Sequence, residues 1–204
     1  MASVLPTGIM LAAGSSRRFG GDKLLATLPD GTPVGVAALR AMRAALPGVI
    51  AVVRPHDEKL AALFAAHGAR VVHCARADEG MGASLACGVD ASADAAGWVV
   101  ALADMPWIAT ATIRAVADAI AAGASLAAPF CRGERGHPVG FAASHRASLQ
   151  ALGGDEGARA IVAGAGTALV RVDVDDAGVL RDVDAPGDLE DLVGRPSGRR
   201  GGPA

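Results

Sequence analysis

Residues 9–23, Ile-Met-Leu-Ala-Ala-Gly-Ser-Ser-Arg-Arg-Phe-Gly-Gly-Asp-Lys, pass from an apolar run into small residues and glycines, then into two arginines and a lysine. That order suits a buried strand that delivers a pliable backbone and positive charge to a polyphosphate. Glycine lets main-chain N–H groups approach an anion without a side chain in the way. Arg17, Arg18 and Lys23 would then neutralise what the backbone cradles. Two familiar glycine patterns do not fit. Leu24 follows Lys23 where a P-loop needs a hydroxyl for magnesium, and Gly14, Gly20 and Gly21 lack the dinucleotide spacing.

Carboxylates supply the complementary chemistry. Asp104, in Ala103-Asp104-Met105-Pro106, follows the apolar run Trp98–Leu102, and Pro106 limits how its loop can retreat. Asp182 and Asp184, in Arg181-Asp-Val-Asp-Ala-Pro186, are two apart and would share a face of a late strand. Asp184, nearer the end of that strand, is the favoured partner of Asp104. Two carboxylates meeting a basic, glycine-rich loop suit magnesium-dependent phosphate chemistry. Magnesium takes one or two carboxylates, keeps some waters and fills its remaining positions from substrate phosphates.

The elements that must position these residues alternate along the chain. Short β-like runs at Gly8–Leu11, Val49–Val53, Arg70–His73, Trp98–Leu102 and Leu126–Pro129 are separated by helical periodicity at Val36–Leu46, Asp57–His67, Met81–Val89 and Thr110–Ala122. Asp57 and Thr110 read as N-caps, and Gly48, Gly68 and Gly123 as stops. Such alternation predicts an α/β fold with a mainly parallel twisted sheet and helices on both faces. In such a sheet, ligands sit beyond the carboxyl ends of the strands.

After Pro129 the rhythm changes. Arg132-Gly-Glu-Arg-Gly136 reads as a late hairpin insertion or lid ending in Val139–Ala142. Helical stretches are expected at His145–Leu152 and Glu156–Ala163, strands at Leu169–Val174 and Val179–Val183, and a closing helix at Pro186–Val193. One domain is expected over residues 1–194, with a disordered tail over 195–204.

Composition narrows the classes. The 204-residue chain is 51% hydrophobic but only 3% aromatic, so its core must be built from Ala, Val, Leu and Ile. A net charge of −2 argues against a protein that coats nucleic acid. Cys74, Cys87 and Cys131 form no C-x-x-C pair, so neither zinc nor a disulfide framework is expected, and each reads as a small core-filling residue. There is no signal-like N-terminus and no apolar run of membrane length, so a cytoplasmic protein without membrane association is expected.

Several motifs taken together carry a resemblance. Leu11-Ala12-Ala13-Gly14-Ser15-Ser16-Arg17-Arg18-Phe19-Gly20…Lys23-Leu24-Leu25 resembles the signature of the MobA/MocA-type nucleotidyltransferases. Gly80-Met81-Gly82-Ala83-Ser84-Leu85, Ala103-Asp104-Met105-Pro106, Arg135-Gly136-His137-Pro138-Val139, Gly154-Asp155-Glu156-Gly157-Ala158-Arg159 and Asp182-Val183-Asp184-Ala185-Pro186 follow in the family's order. Residues 7–193 are covered, and the molybdenum cofactor cytidylyltransferase type is the best match within the group.

The resemblance implies a Rossmann-like nucleotidyltransferase fold and transfer of CMP from CTP to the molybdopterin form of molybdenum cofactor. It places Arg18 and Lys23 on the triphosphate, assisted by the N–H groups of Gly14 and Ser15. Asp104 and Asp184 would bind Mg2+. Leu11, Ala12 and Ala13 would read the base through backbone contacts, with Gly80, Gly82 and Ser84 closing the nucleotide pocket. Leu-Ala-Ala-Gly replaces the Leu-Ala-Gly-Gly of the guanylyltransferase relatives, and the Ala13 methyl should favour the smaller pyrimidine.

His137 and Arg159 are candidate acceptor ligands, against the readings of a turn histidine and a solvated helix arginine. An apo-molybdoenzyme would be the downstream partner. Three alternatives stand beside this reading. They are a GTP-dependent relative, a cytidylyltransferase for a sugar or polyol phosphate, and a cofactor carrier without turnover.

Overall fold

The computed structural model describes residues 4–14, 19–155 and 157–189. The elements run β1 (Thr7–Leu11), α1 (Val34–Ala45), β2 (Val49–Val53), α2 (Glu58–Ala66), β3 (Arg70–His73), α3 (Met81–Asp90), β4 (Gly97–Leu102) and α4 (Thr110–Ala121). They continue with β5 (Leu126–Cys131), β6 (Glu134–Arg135), β7 (Val139–Ala142), α5 (Arg146–Gln150), α6 (Arg159–Gly164) and β8 (Leu169–Asp173). The eight strands form one sheet in the order β3-β2-β1-β4-β7-β5-β6, with β8 parallel to β5. The first four strands in this order are all parallel, and β7 joins antiparallel to β4.

Alternation along the strands sorts side chains into two cores. Met10, Ala51, Val53, Val99 and Ala101 face α1, α2 and α4, where Leu39, Met42, Phe64, Ile113 and Val116 bury completely or nearly so. Ile9, Ile50, Val52, Trp98 and Val100 face the other way, against Leu85 and Val89 of α3, Leu149 of α5 and Val162 of α6. Residues one apart on a strand point to opposite faces, so short Val- and Ala-rich strands serve both layers.

The structure corrects four expectations. Val179–Val183 is not a strand. Ala177–Leu180 forms a 3-10 turn, and the segment after it runs irregularly, held by the backbone rather than by a ladder. The described part of the expected closing helix is likewise a 3-10 turn, Pro186–Leu189. The first helical residue of α4 is Thr110, and its N-cap Ala109 has no side-chain cap. Asp176 caps it from across the fold instead, accepting from the Ala109 N–H at 2.9 Å and the Thr112 hydroxyl at 2.7 Å. Finally, Cys74 and Cys87 form a disulfide, with Cα atoms 5.9 Å apart, while Cys131 is a free buried thiol. Residues 13 apart in sequence meet because β3 leads directly into the turn before α3. The expected tail, residues 195–204, lies outside the described residues.

Other expectations hold. Asp57 caps α2 by accepting from the Leu60 N–H at 3.1 Å. The insertion after Pro129 is the tight β5–β6 hairpin, in which Arg132 and Gly133 adopt positive φ.

Candidate active site

The carboxyl ends of β1, β2 and β4 lie side by side, and the parallel ladders continue one step past each strand. The Ala12 N–H donates to the Val52 carbonyl at 2.9 Å, and the Ala103 N–H donates to that of Leu11 at 3.0 Å. Residues 12–14 and Asp104 are thereby presented together at one edge.

Asp184 reaches this edge by a backbone bond. The Val183 N–H donates to the Asp104 carbonyl at 2.8 Å, docking the irregular segment onto the β4 loop. The Asp188 carboxylate then accepts from the Asp184 and Ala185 N–H groups at 2.8 and 2.7 Å and shapes the turn. The Lys23 ammonium lies between the acids, 2.6 Å from Asp104 Oδ2 and 3.5 Å from Asp184 Oδ1. Lys23 is 12% exposed and Asp104 21%, so this ion pair is partly shielded from water.

The other oxygen of Asp104, Oδ1, is buried and has no hydrogen-bond partner among the described residues. A hard divalent cation would satisfy that oxygen, and carboxylates of this kind are what Mg2+ or Mn2+ prefers. Asp182 stands nearby. Desolvation raises its carboxyl above the ordinary value, and the charges of Asp184 and Asp104 push the same way.

Two cavities meet at this edge. The first, about 680 Å³, is lined by Leu11, Ala12, Ala13, Gly14, Lys23, Gly80, Ser84 and Asp104, with Arg54 and Asp78 at its side. The second, about 650 Å³, has apolar walls from Leu85, Val100, Phe141 and Val162 and polar groups from Arg135, His137 and Arg159. Leu11, Met81, Leu102 and Asp155 border both.

Most residues singled out from the sequence therefore converge. Gly82 does not line either cavity. Its N–H donates to the Gly154 carbonyl at 2.8 Å, and a Cβ there would lie 2.6 Å from the Gly153 carbonyl oxygen. Gly80, at φ 122°, is equally constrained, since a Cβ would fall 2.5 Å from Gly154 backbone and 2.4 Å from Asp155. These two glycines let the start of α3 dock on the 153–155 loop, joining the walls of the two cavities. Ser15, Arg17 and Arg18 lie outside the described residues.

His137 lies in the second cavity, joined to Pro138 by a cis peptide. Burial lowers its pKa from the ordinary 6.5, and the nearby Arg135 charge adds to that, while Asp104 opposes both. The imidazole is accordingly neutral at neutral pH, and its Nδ1 is buried without a partner among the described residues. Gly136 makes the close approach that this hairpin requires: a Cβ would sit 2.3 Å from the Val179 carbonyl oxygen.

Sequence reading passed over Arg54 and gave Asp155 no role, although it lies in the 154–159 motif. Arg54 directly follows β2, so the rule that ligands gather at carboxyl ends of strands could have found it. The docking of the 153–155 loop against α3 is what brings Asp155 to the shared rim.

The comparisons with known proteins agree with this fold. The profile of the MobA-like NTP transferase domain matches residues 8–172. The chain belongs to the MobA-like NTP transferase family. Within reach of this MobA-like chain is the purine catabolism protein PucB of Bacillus subtilis (strain 168), 32% identical over 209 residues, covering 96% of this chain and 98% of PucB. The crystal structure of Rv0371c from Mycobacterium tuberculosis H37Rv superposes with a TM-score of 0.81 at 30% identity, covering 93% of this chain and 97% of that one. A second Rv0371c structure, in complex with manganese, gives a TM-score of 0.74 at 28% identity over 93% and 98% of the two chains. The MobA-like chain is thus a nucleotidyltransferase by family and fold. No helix among its described residues is long and apolar enough to cross a membrane.

Proposed function

We propose that this nucleotidyltransferase moves CMP from CTP to the terminal phosphate of molybdopterin, the organic part of molybdenum cofactor, and releases pyrophosphate. The observation that carries the reading is the acid pair Asp104 and Asp184, bridged by Lys23 at the edge of a glycine-walled cavity that opens onto a second, largely apolar one. A nucleotide and a ring-bearing acceptor would meet at that border.

In this reading CTP occupies the first cavity. Leu11, Ala12 and Ala13 read its base through the backbone, Gly80 and Ser84 form the facing wall, and Gly82 holds that wall from behind. The N–H groups of Gly14 and Ser15, with Arg18 and Lys23, hold the triphosphate. Asp104 and Asp184 would hold a divalent cation, which neutralises charge on the transferring phosphate when bound. The manganese in the Rv0371c relative supports a divalent ion, and Mg2+ is the proposed physiological one.

The acceptor rests in the apolar cavity, its phosphate toward His137 and Arg159. An oxygen of that phosphate attacks the α-phosphorus of CTP. The bond from the α-phosphorus to the bridging oxygen breaks, and pyrophosphate leaves with the electron pair. A phosphate monoester dianion needs no general base, so charge stabilisation and alignment carry the rate.

Ala13 supports CTP over GTP. It is buried in one apolar cluster with Ala77, and both residues line the nucleotide cavity, where the Ala13 methyl would favour the smaller pyrimidine. The name of the PucB relative, a purine catabolism protein, suits a downstream apo-molybdoenzyme that acts on purines.

The deciding experiment measures pyrophosphate release by purified protein with molybdenum cofactor, Mg2+ and either CTP or GTP. Release with CTP is expected, falling about 10²–10³-fold in Asp104→Ala, the loss typical when a charge-stabilising group is removed. Release with GTP alone would overturn the nucleotide assignment, and silence with both nucleotides would overturn the acceptor.

A further inference from the structure

Arg54 has no part in the reading above, yet it touches two segments of the chain that line the nucleotide cavity. It leaves the carboxyl end of β2 and donates from Nε to the Ala13 carbonyl at 3.0 Å. Its Nη2 lies 3.2 Å from Asp78 Oδ1, in the 3-10 turn Ala77–Glu79 that leads into Gly80. Ala13 and Asp78 belong to two segments of the cavity lining, the loop after β1 and the turn before α3, so one guanidinium ties those segments together. Its planar fork can hold two acceptors in fixed relative positions.

We infer that Arg54 is a positioning residue that sets the width of the nucleotide cavity and thereby its preference for a pyrimidine. The inference rests on the nucleotide-binding part of the proposed function. Two physical consequences follow from the bonds of Arg54. In a trans peptide the C=O and the following N–H point in opposite directions. Drawing the Ala13 carbonyl toward Arg54 therefore also fixes the direction of the Gly14 N–H. The second consequence concerns the turn. Asp78 is 85% exposed, so its ion pair adds little to fold stability. What the pair does instead is restrain the turn that carries Ala77 and Gly80 from moving away from Ala13. Without the brace the gap can open, and a wider base gains more than a narrow one.

The test measures CTP and GTP dissociation constants by calorimetry without acceptor, together with steady-state kinetics and thermal melting. Arg54→Ala is expected to weaken CTP about tenfold, the loss of one hydrogen bond to a charged group, and to weaken GTP less, so that the CTP:GTP ratio falls. The melting temperature and the acceptor KM should stay close to wild type, while kcat/KM for CTP falls with the affinity. Arg54→Lys, which can still donate to the Ala13 carbonyl, should recover most of the CTP affinity, and Asp78→Asn should lose part of it.

Equal weakening of both nucleotides would overturn the inference in favour of a direct phosphate contact. Unchanged CTP affinity, or a general loss with a lowered melting temperature, would overturn it as well. Wild-type protein that binds GTP and not CTP would overturn both the CTP assignment and the inference. Wild type that prefers CTP in calorimetry but releases no pyrophosphate with molybdenum cofactor would overturn the acceptor assignment alone and leave the inference standing.

Discussion

At the residue scale, Lys23 occupies the place where a cation is wanted, 2.6 Å from Asp104 and 3.5 Å from Asp184. Both acids are arranged for positive charge before any metal arrives, and the Oδ1 of Asp104, without a hydrogen-bond partner among the described residues, leaves one oxygen to spare. His137 shows the opposite economy, a titratable ring kept uncharged by burial next to Arg135. Its native pKa lies below 6.5, so the unfolded chain takes up the proton first as the pH falls. The stability it contributes is whole above pH 6.5 and is lost as the pH falls through the depressed native value. In chelator, wild type should therefore lose more melting temperature between pH 8 and pH 5 than His137→Gln does. Parallel profiles for the two proteins would sink the assignment of a neutral buried ring.

Among the elements, the segment 176–188 most needed the structure. Its apolar residues Val179, Leu180 and Val183 read as a strand, but no ladder bonds hold it. Asp176 anchors its start to the first turn of α4, the Gly178 N–H bonds back to Asp176 at 3.0 Å, and the Val183 N–H anchors its end to Asp104. Asp176→Ala leaves the buried Thr112 hydroxyl without this acceptor and removes the cap of α4. We expect a loss of about 1–3 kcal/mol in urea unfolding, with a fall in kcat because Asp184 loses its support. Unfolding and kcat that both match wild type would refute this staple. Gly80 and Gly82 illustrate the same lesson. Their small size is evident in the sequence, but the neighbour that demands it, the 153–155 loop, lies some 70 residues away in the chain.

For the molecule as a whole, the two cores carry different duties. The α1–α2–α4 face holds Phe64, fully buried and packed against the position of Gly35. The α3–α5–α6 face holds Leu85, which also walls the second, largely apolar cavity. Phe64→Ala should cost about 3–5 kcal/mol by denaturant titration while leaving the acceptor KM of the folded fraction unchanged. Leu85→Ala should cost about 2–5 kcal/mol and raise that KM as well. An acceptor KM that moves equally in both variants would show that the faces are not separable in this way.

Local pattern was enough for the strand–helix alternation, for the small residues Ala12–Gly14 that follow β1, for Asp104 at the end of β4 and for the Asp57 cap. Each of these depends on the period of apolar residues or on one residue's own chemistry, and neighbours in sequence set both. The partners that came together across the chain were decided by tertiary structure alone. They are the Cys74–Cys87 disulfide, the Asp176 cap on α4, the Arg54 bridge from the Ala13 carbonyl to Asp78 and the docking of Asp184 beside Asp104. Spacing carries no record of these meetings. They arise when the sheet order β3-β2-β1-β4-β7-β5-β6 folds distant loops onto one edge, where backbone groups left without ladder partners must find others.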